Sequence, residues 1–257
     1  MTKRSTETFD VRTSIKYRVA RSLGKRFPRT IFHSRRLLNG ARGLPIYLNK
    51  NKKRAEIVRQ LLNEIDFKNI VETGTFLGYS THFFCGIAER RGIKVFSAEI
   101  SDDYWRLSRA LLARRKNLRL YHSDSVSMLR SIRPALGNEL TFFYLDAHWR
   151  DYLPLRDELA SIDLRHGLAM IDDFRVPGDD LFGYDTYKDV AIAIELIADL
   201  TDDMSVFFPA YPAAEEGYRP RGYCLLTQSE DLRRRLQLYP SLRPFSVSGG
   251  ASSAAGP

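Results

Sequence analysis

The sequence predicts an α/β protein: a doubly wound, mostly parallel sheet of seven strands with an antiparallel last strand, behind a basic N-terminal extension. Three observations predict it. Short apolar runs alternate with segments of helical period, the pattern of a parallel sheet with right-handed crossovers and helices on both faces. Two late apolar runs lie close enough to form a hairpin-like antiparallel pair. Glycines and acids recur just after the apolar runs, and in such sheets ligands collect beyond the carboxyl ends of the strands.

The bulk numbers are compatible with this. A chain of 257 residues, 44% of them hydrophobic, can bury one α/β core and carry an extension. The net charge of +9 is uneven: residues 1–54 hold 16 Lys/Arg against Glu7 and Asp10, and the rest carries 24 basic and 29 acidic residues. The basic block, residues 1–53, reads as an extension facing something anionic, such as a membrane surface, with a basic helix over Ser14 to Leu23. Cys85 and Cys224 lie in apolar contexts and read as buried free thiols, in keeping with a reducing cytoplasm. No run approaches the roughly 18 apolar residues of a membrane span, and no secretory signal is visible. Residues 54–247 form the catalytic-sized domain, and 248–257 a low-complexity, disordered tail.

Taken in order, residues 54–66 place Ile57, Val58, Leu61, Leu62 and Ile65 at helical spacing. Asn69 to Thr73 is a strand ending in a glycine turn, and 79–91 a helix closed by Gly92. Lys94 to Glu99 is the second strand, Asp102 to Lys116 a helix with acids at its start. Leu118 to His122 is the third strand, and Ser125 to Arg133 a short helix. Thr141 to Leu145 and Leu168 to Ile171 are continuous apolar strands, separated by a helix over Leu153 to Ile162. Asp189 to Leu200 reads as a long helix with one apolar face. Met204 to Phe208 and Gly222 to Thr227 are the final pair of strands.

The chemistry sits at the strand ends. Glu72-Thr73-Gly74-Thr75-Phe76-Leu77-Gly78 gives a tight turn without the G-x-G-x-x-G spacing that cradles a dinucleotide pyrophosphate. A carboxylate two residues before the first glycine repels phosphate and favours a nucleoside with a positive end. Glu99, 27 residues beyond Glu72, can accept hydrogen bonds from both hydroxyls of a ribose. Asp124 can accept from an adenine amino group, and also has the position of a helix N-cap. Asp146, Asp172 and Asp173 follow neighbouring strands, so three carboxylates converge. Their repulsion in a cleft is relieved by a hard divalent cation such as Mg²⁺, which takes oxygen ligands.

Together these strand ends resemble the class I S-adenosylmethionine (SAM)-dependent methyltransferases, over roughly residues 54–230 of a Rossmann-like fold. The resemblance implies that Glu72, Gly74, Thr75, Gly78 and Ser80 hold the methionine part of SAM, Glu99 the ribose, and Asp124 with Ser125 the adenine. Tyr144-Leu145-Asp146-Ala147-His148-Trp149 and Ile171-Asp172-Asp173 are similar to the metal-dependent small-molecule O-methyltransferases of the catechol and the macrolide or aminocoumarin sugar types. That narrower resemblance implies that Asp146, Asp172 and Asp173 bind magnesium, which binds the acceptor hydroxyls.

The chain departs from both patterns. An extra Ala147 and Arg150 stand where the catechol type has its lysine base, and arginine stays protonated. His148 stands where the sugar type has a second aspartate, and an imidazole is a reasonable base at neutral pH. His148 and Asp146 are therefore the expected catalytic pair, also lying against SAM. Asp179, Asp180, Tyr184 and Tyr187 are expected to form a lid suited to a sugar or another small-molecule acceptor. Three other readings remain: a non-enzymatic or membrane-surface role carried by the basic extension, and two further enzymatic ones. One is an RNA or other nucleic-acid methyltransferase, encouraged by the basic extension but not by the slightly acidic body. The other is a hydroxylase-like enzyme with iron on two aspartates and His148. A homodimer is the default assembly.

Overall fold

The computed structural model describes residues 48–147, 152–217 and 219–246. The expected helix over 14–23, the run His148-Trp149-Arg150 and the tail 248–257 lie outside the described residues.

A 3-10 turn at Leu48–Lys50 leads into α1 (Lys52–Glu64), whose buried face carries Ile57, Val58, Leu61 and Leu62. The helix therefore starts two residues before the expected boundary at 53/54. Its first turn is satisfied from far along the chain: the Glu216 carboxylate accepts from the Arg54 backbone N–H at 3.1 Å. A carboxylate there answers both the unpaired donors and the positive end of the helix dipole.

Then follow β1 (Asn69–Thr73), α2 (Tyr79–Glu89), β2 (Lys94–Glu99), α3 (Asp102–Leu112), β3 (Leu118–His122), α4 (Ser125–Leu136), β4 (Thr141–Leu145), α5 (Leu155–Ser161) and β5 (Gly167–Asp172). β1, β4 and β5 are buried along their whole length, as parallel strands covered by helices on both faces are. This is why they read as unbroken apolar runs. Beyond β5 come a small hairpin, β6 (Thr186–Tyr187) and β7 (Val190–Ala191), the short helix α6 (Ile194–Ile197), β8 (Ser205–Pro209), β9 (Tyr223–Thr227), α7 (Glu230–Leu236) and β10 (Leu242–Phe245).

The main sheet has the order β10-β8-β9-β5-β4-β1-β2-β3. Strands β1 to β5 are parallel; β9 runs antiparallel between β5 and β8, the hairpin-like pair expected from the sequence. All seven expected strands are present, and β10 adds an eighth at the edge. The register levels the strand ends. Thr73 pairs with both Ala98 and Leu145, and Leu145 pairs with Ile171. The residues just after β1, β2, β4 and β5 thus emerge on one rim, about 5 Å apart per strand step.

The long helix expected over Asp189 to Leu200 is absent. Lys188 and Asp189 have φ of 46° and 68° at the tip of the β6–β7 hairpin. Two consecutive positive φ values make the tight turn that matches the twist of a two-residue hairpin. Only Ile194–Ile197 and a 3-10 turn at Ala198–Leu200 remain helical. The apolar period of Ile192, Ile194 and Ile197 serves packing of an irregular segment instead.

Candidate functional site

The rim opens into a cleft of about 610 Å³, lined by the turn after β1 (Gly74, Phe76), the end of β2 (Ala98, Glu99, Ile100), Ser123 to Ser125, Asp146 and Ala147. Its far wall holds Asn49, Tyr152, Asp173 and the hairpin residues Asp185 to Lys188.

Gly74 must be glycine. Its φ is +83°, and a Cβ there would stand 2.6 Å from the Asp146 carbonyl oxygen. The turn after β1 is pressed against the turn after β4, which brings the Asp146 end of the cleft next to the Gly74 loop. Gly78, at φ +73°, caps α2 beside Leu112 and lies outside the lining residues.

Glu72 is placed differently from the expectation. It is fully buried beneath the loop, accepting from the Thr81 hydroxyl and from Ser97 Oγ at 2.7 Å. Burial pushes its carboxyl up to about 7, against the pull of the Ser80, Thr81 and Ser97 hydroxyls. Thr75, also buried, shares a 2.6 Å hydrogen bond with Ser97. Glu72, Thr75, Gly78 and Ser80 therefore build the loop from behind rather than line the cleft.

Glu99 lines the cleft and is only 5% exposed. Its Oε2 accepts from the Phe76 backbone N–H at 2.7 Å and its Oε1 from that of Ser101 at 2.8 Å. Burial raises its pKa, and those backbone donors work in the opposite direction. Each oxygen keeps a second lone pair, enough to accept from a diol. Asp124 caps α4 through Ser127 N at 2.8 Å, as one of its two sequence readings has it, and also lines the cleft. Burial opposes ionisation of Asp124, but the Ser127 hydrogen bonds prevail and its pKa is lowered. Ser125 lines the same wall. Phe76, with φ +46° and 43% exposed, rests on Tyr104 with ring centroids 4.6 Å apart.

At the other end the three aspartates part company. Asp146 faces the cleft, its backbone N–H held by Thr73. Asp172 is buried and turned away. Its Oδ1 accepts from the Arg54 guanidinium and from Asp173 N at 2.8 Å; its Oδ2 accepts from the Tyr144 hydroxyl and from Asn49 Nδ2 at 3.0 Å. A carboxylate offers about four lone-pair sites, and all are taken. Both partners of the Arg54–Asp172 ion pair have side chains 0% exposed. Asp173, at φ +54°, lines the cleft, but its Oδ1 accepts from Arg221 Nε, and Arg221 also pairs with Asp185.

This arrangement does not fit the expected magnesium triad: Asp172 has no lone pair to give, and guanidinium groups already neutralise Asp172 and Asp173. Among the described residues, no three His, Cys, Asp or Glu side chains are grouped to hold a metal ion. The same four bonds remove Asp172 from an iron site. The lid is also redrawn. Asp179 caps Leu181 N, Asp180 projects toward Arg175, and Tyr184 lies under that arginine, none of them lining the cleft. Tyr187 does line it, with Asp185, Thr186 and Lys188. Arg54, Arg221 and Asn49 were not singled out from the sequence. Nothing local marks them, since Arg54 lies in an ordinary helical period and Arg221 in a loop.

The sequence matches no family model and no curated protein. The fold is similar to solved methyltransferases. The O-methyltransferase from Bacillus cereus in complex with S-adenosylhomocysteine (SAH) gives a TM-score of 0.50 at 18% identity, over 74% of this chain and 86% of that one. The O-methyltransferase TomG from Streptomyces achromogenes, involved in tomaymycin synthesis and solved with SAM, gives 0.50 at 15% identity, over 69% and 80%. Cofactor-bound Rv0187 from MTB gives 0.51 at 14% identity, over 75% and 87%. At these identities the likeness is one of fold: a Rossmann-like methyltransferase architecture with antiparallel late strands.

Proposed function

We propose that the chain is a SAM-dependent methyltransferase acting on a hydroxyl of a small molecule or sugar. One observation carries the reading: the Gly74 turn, Glu99, Asp124 and Asp146 share a single cleft on the rim of a sheet of methyltransferase type. The B. cereus and TomG likenesses, with SAH and SAM in their respective structures, support it at the level of the fold.

Glu99 accepts from the ribose hydroxyls with its remaining lone pairs. Phe76 and Ile100 supply apolar surface for the adenine, and Asp124 and Ser125 stand at its polar edge. The Gly74 backbone lets the methionine end approach β1 without a side chain in the way. SAM held by these residues would supply an electrophilic methyl group on positively charged sulfur to an aligned acceptor oxygen, the sulfur leaving as a neutral thioether. Alignment alone contributes on the order of 7–11 kcal/mol in favourable cases. Asp146 places a carboxylate between cofactor and acceptor ends. His148, two residues further on, is the proposed acceptor of the hydroxyl proton. No step is routed through a metal ion.

Isothermal titration with SAH tests this reading. Wild type binds with one site per chain, and Glu99→Ala weakens binding by at least about tenfold, the loss of one or more good hydrogen bonds to a diol. Glu99→Gln, which can still accept from Phe76 N, weakens it less. Absence of SAH binding, or binding indifferent to both changes, removes the assignment.

A further inference from the structure

The acid cluster beyond β4 and β5 is charged and largely buried, and two of its partners are arginines from distant parts of the chain. Arg54 reaches Asp172 from α1, and its other terminal nitrogen donates to the Arg221 carbonyl oxygen. Arg221, from the loop before β9, bridges Asp173 and Asp185. Its backbone N–H is held by Asn51 Oδ1 at 2.9 Å. Asn49 joins the two aspartates from above. The Arg54 guanidinium also lies over the Tyr223 ring, 5.3 Å from its centroid. Arg54, Arg221 and their acids thus form one network, tying α1, the end of β5, the hairpin wall and the start of β9 together.

We propose that Arg54 and Arg221 take the place of a divalent cation at this rim, so that the cluster of Asp172, Asp173 and Asp185 holds no metal ion. Two guanidinium charges sit where carboxylates would otherwise need a metal to coexist. A guanidinium binds two carboxylates in fixed directions and stays charged throughout the accessible pH range. Arg221 is a positioning residue: it does not line the cleft, but it sets the placement of Asp173 and Asp185, which do. For the acceptor, and only if the methyltransferase reading holds, the consequence is docking by hydrogen bonds to groups such as Asp146 and Tyr187. Chelation through two neighbouring oxygens is not required.

Mn²⁺ binding, followed by electron paramagnetic resonance of the free ion, tests the proposal without an acceptor or turnover. The wild-type chain shows no saturable Mn²⁺ binding up to about 1 mM, the weak end for oxygen-ligand cation sites. Its thermal midpoint is the same in EDTA and in Mg²⁺. Arg221→Gln, which leaves Asp173 and Asp185 without their cation, gains a Mn²⁺ site and a midpoint that rises with added Mn²⁺; Arg221→Lys gains neither. One saturable Mn²⁺ per wild-type chain, displaced by Mg²⁺, overturns the proposal. So does a folded Arg221→Gln chain that binds no Mn²⁺. If Arg221→Gln does not fold, the wild-type titration decides alone. The readout concerns only the acid cluster, so its failure is separable from a failure of SAH binding at the other end of the cleft.

Discussion

Replacing Arg54 by Met removes the charged partner that Asp172 has among the described residues, at a position where both side chains are 0% exposed. Three donors remain on the carboxylate: Tyr144 OH, Asn49 Nδ2 and Asp173 N. Breaking a buried ion pair by removing one partner costs about 3–5 kcal/mol. A ceiling on the charge part comes from protonation: neutralising at pH 7 an acid whose unfolded pKa is near 3.9 costs about 4 kcal/mol. The expected loss is therefore about 3–4 kcal/mol, a large share of the roughly 5–15 kcal/mol that holds a domain folded. The second change, Asp172→Asn, removes the stranded charge. Arg54→Met with Asp172→Asn is expected to recover at least about 2 kcal/mol of the single variant's loss, a coupling typical of residues in one network. Urea denaturation of the four proteins of this cycle at pH 7 gives the numbers. A single-variant loss below about 1 kcal/mol, or a double variant no more stable than the single one, would refute the view that this ion pair is the closed partner of Asp172.

Glu72 makes a pH prediction. Its folded pKa of about 7 lies above that of an unfolded glutamate, so the fold holds a proton that the unfolded chain releases. The resulting penalty is absent below the unfolded pKa and grows as pH rises to about 7. Relative to wild type, Glu72→Gln should gain up to about 3 kcal/mol between pH 4.5 and 8, and a flat difference in chemical denaturation speaks against a raised pKa. Gly74→Ala pays about 1–2 kcal/mol for its left-handed backbone and must also move a Cβ away from Asp146 O. Gly92→Ala has the same kind of backbone (φ +67°) with nothing within 4 Å of the new Cβ. The first should lose markedly more stability, together with SAH affinity, and equal losses by thermal melting and titration would count against the close approach of the two turns. Asp146→Asn should abolish methyl transfer while leaving the thermal midpoint within a few degrees, and undiminished transfer from labelled SAM would exclude Asp146 from the site.

The strands were legible because parallel strands buried on both faces must be apolar throughout, as β1, β4 and β5 are. The hairpin at 186–191 was not, because its apolar positions also fit a helical period. Only the positive φ of Lys188 and Asp189 distinguishes the two, and neither residue type announces that conformation. β10 escaped notice because Leu242–Phe245 is a short edge strand containing Pro244, which is tolerated only where a ladder donor is not needed.

By itself the sequence determined the alternation of strands and helices from β1 to β5, and hence that Gly74, Glu99, Asp146 and Asp173 would meet on one rim; Asp172, expected there with them, is turned away from it. Hydrophobic period and position after a strand are local properties, and a parallel sheet converts them directly into proximity. What neutralises each acid was decided only by tertiary structure. The carboxylates of Asp172 and Asp173 look alike in the chain, yet one is enclosed by Arg54 from 118 residues away and the other meets Arg221 at a separation of 48. Electrostatic fate depends on which distant charge the packing delivers, and no pattern of neighbouring residues encodes it.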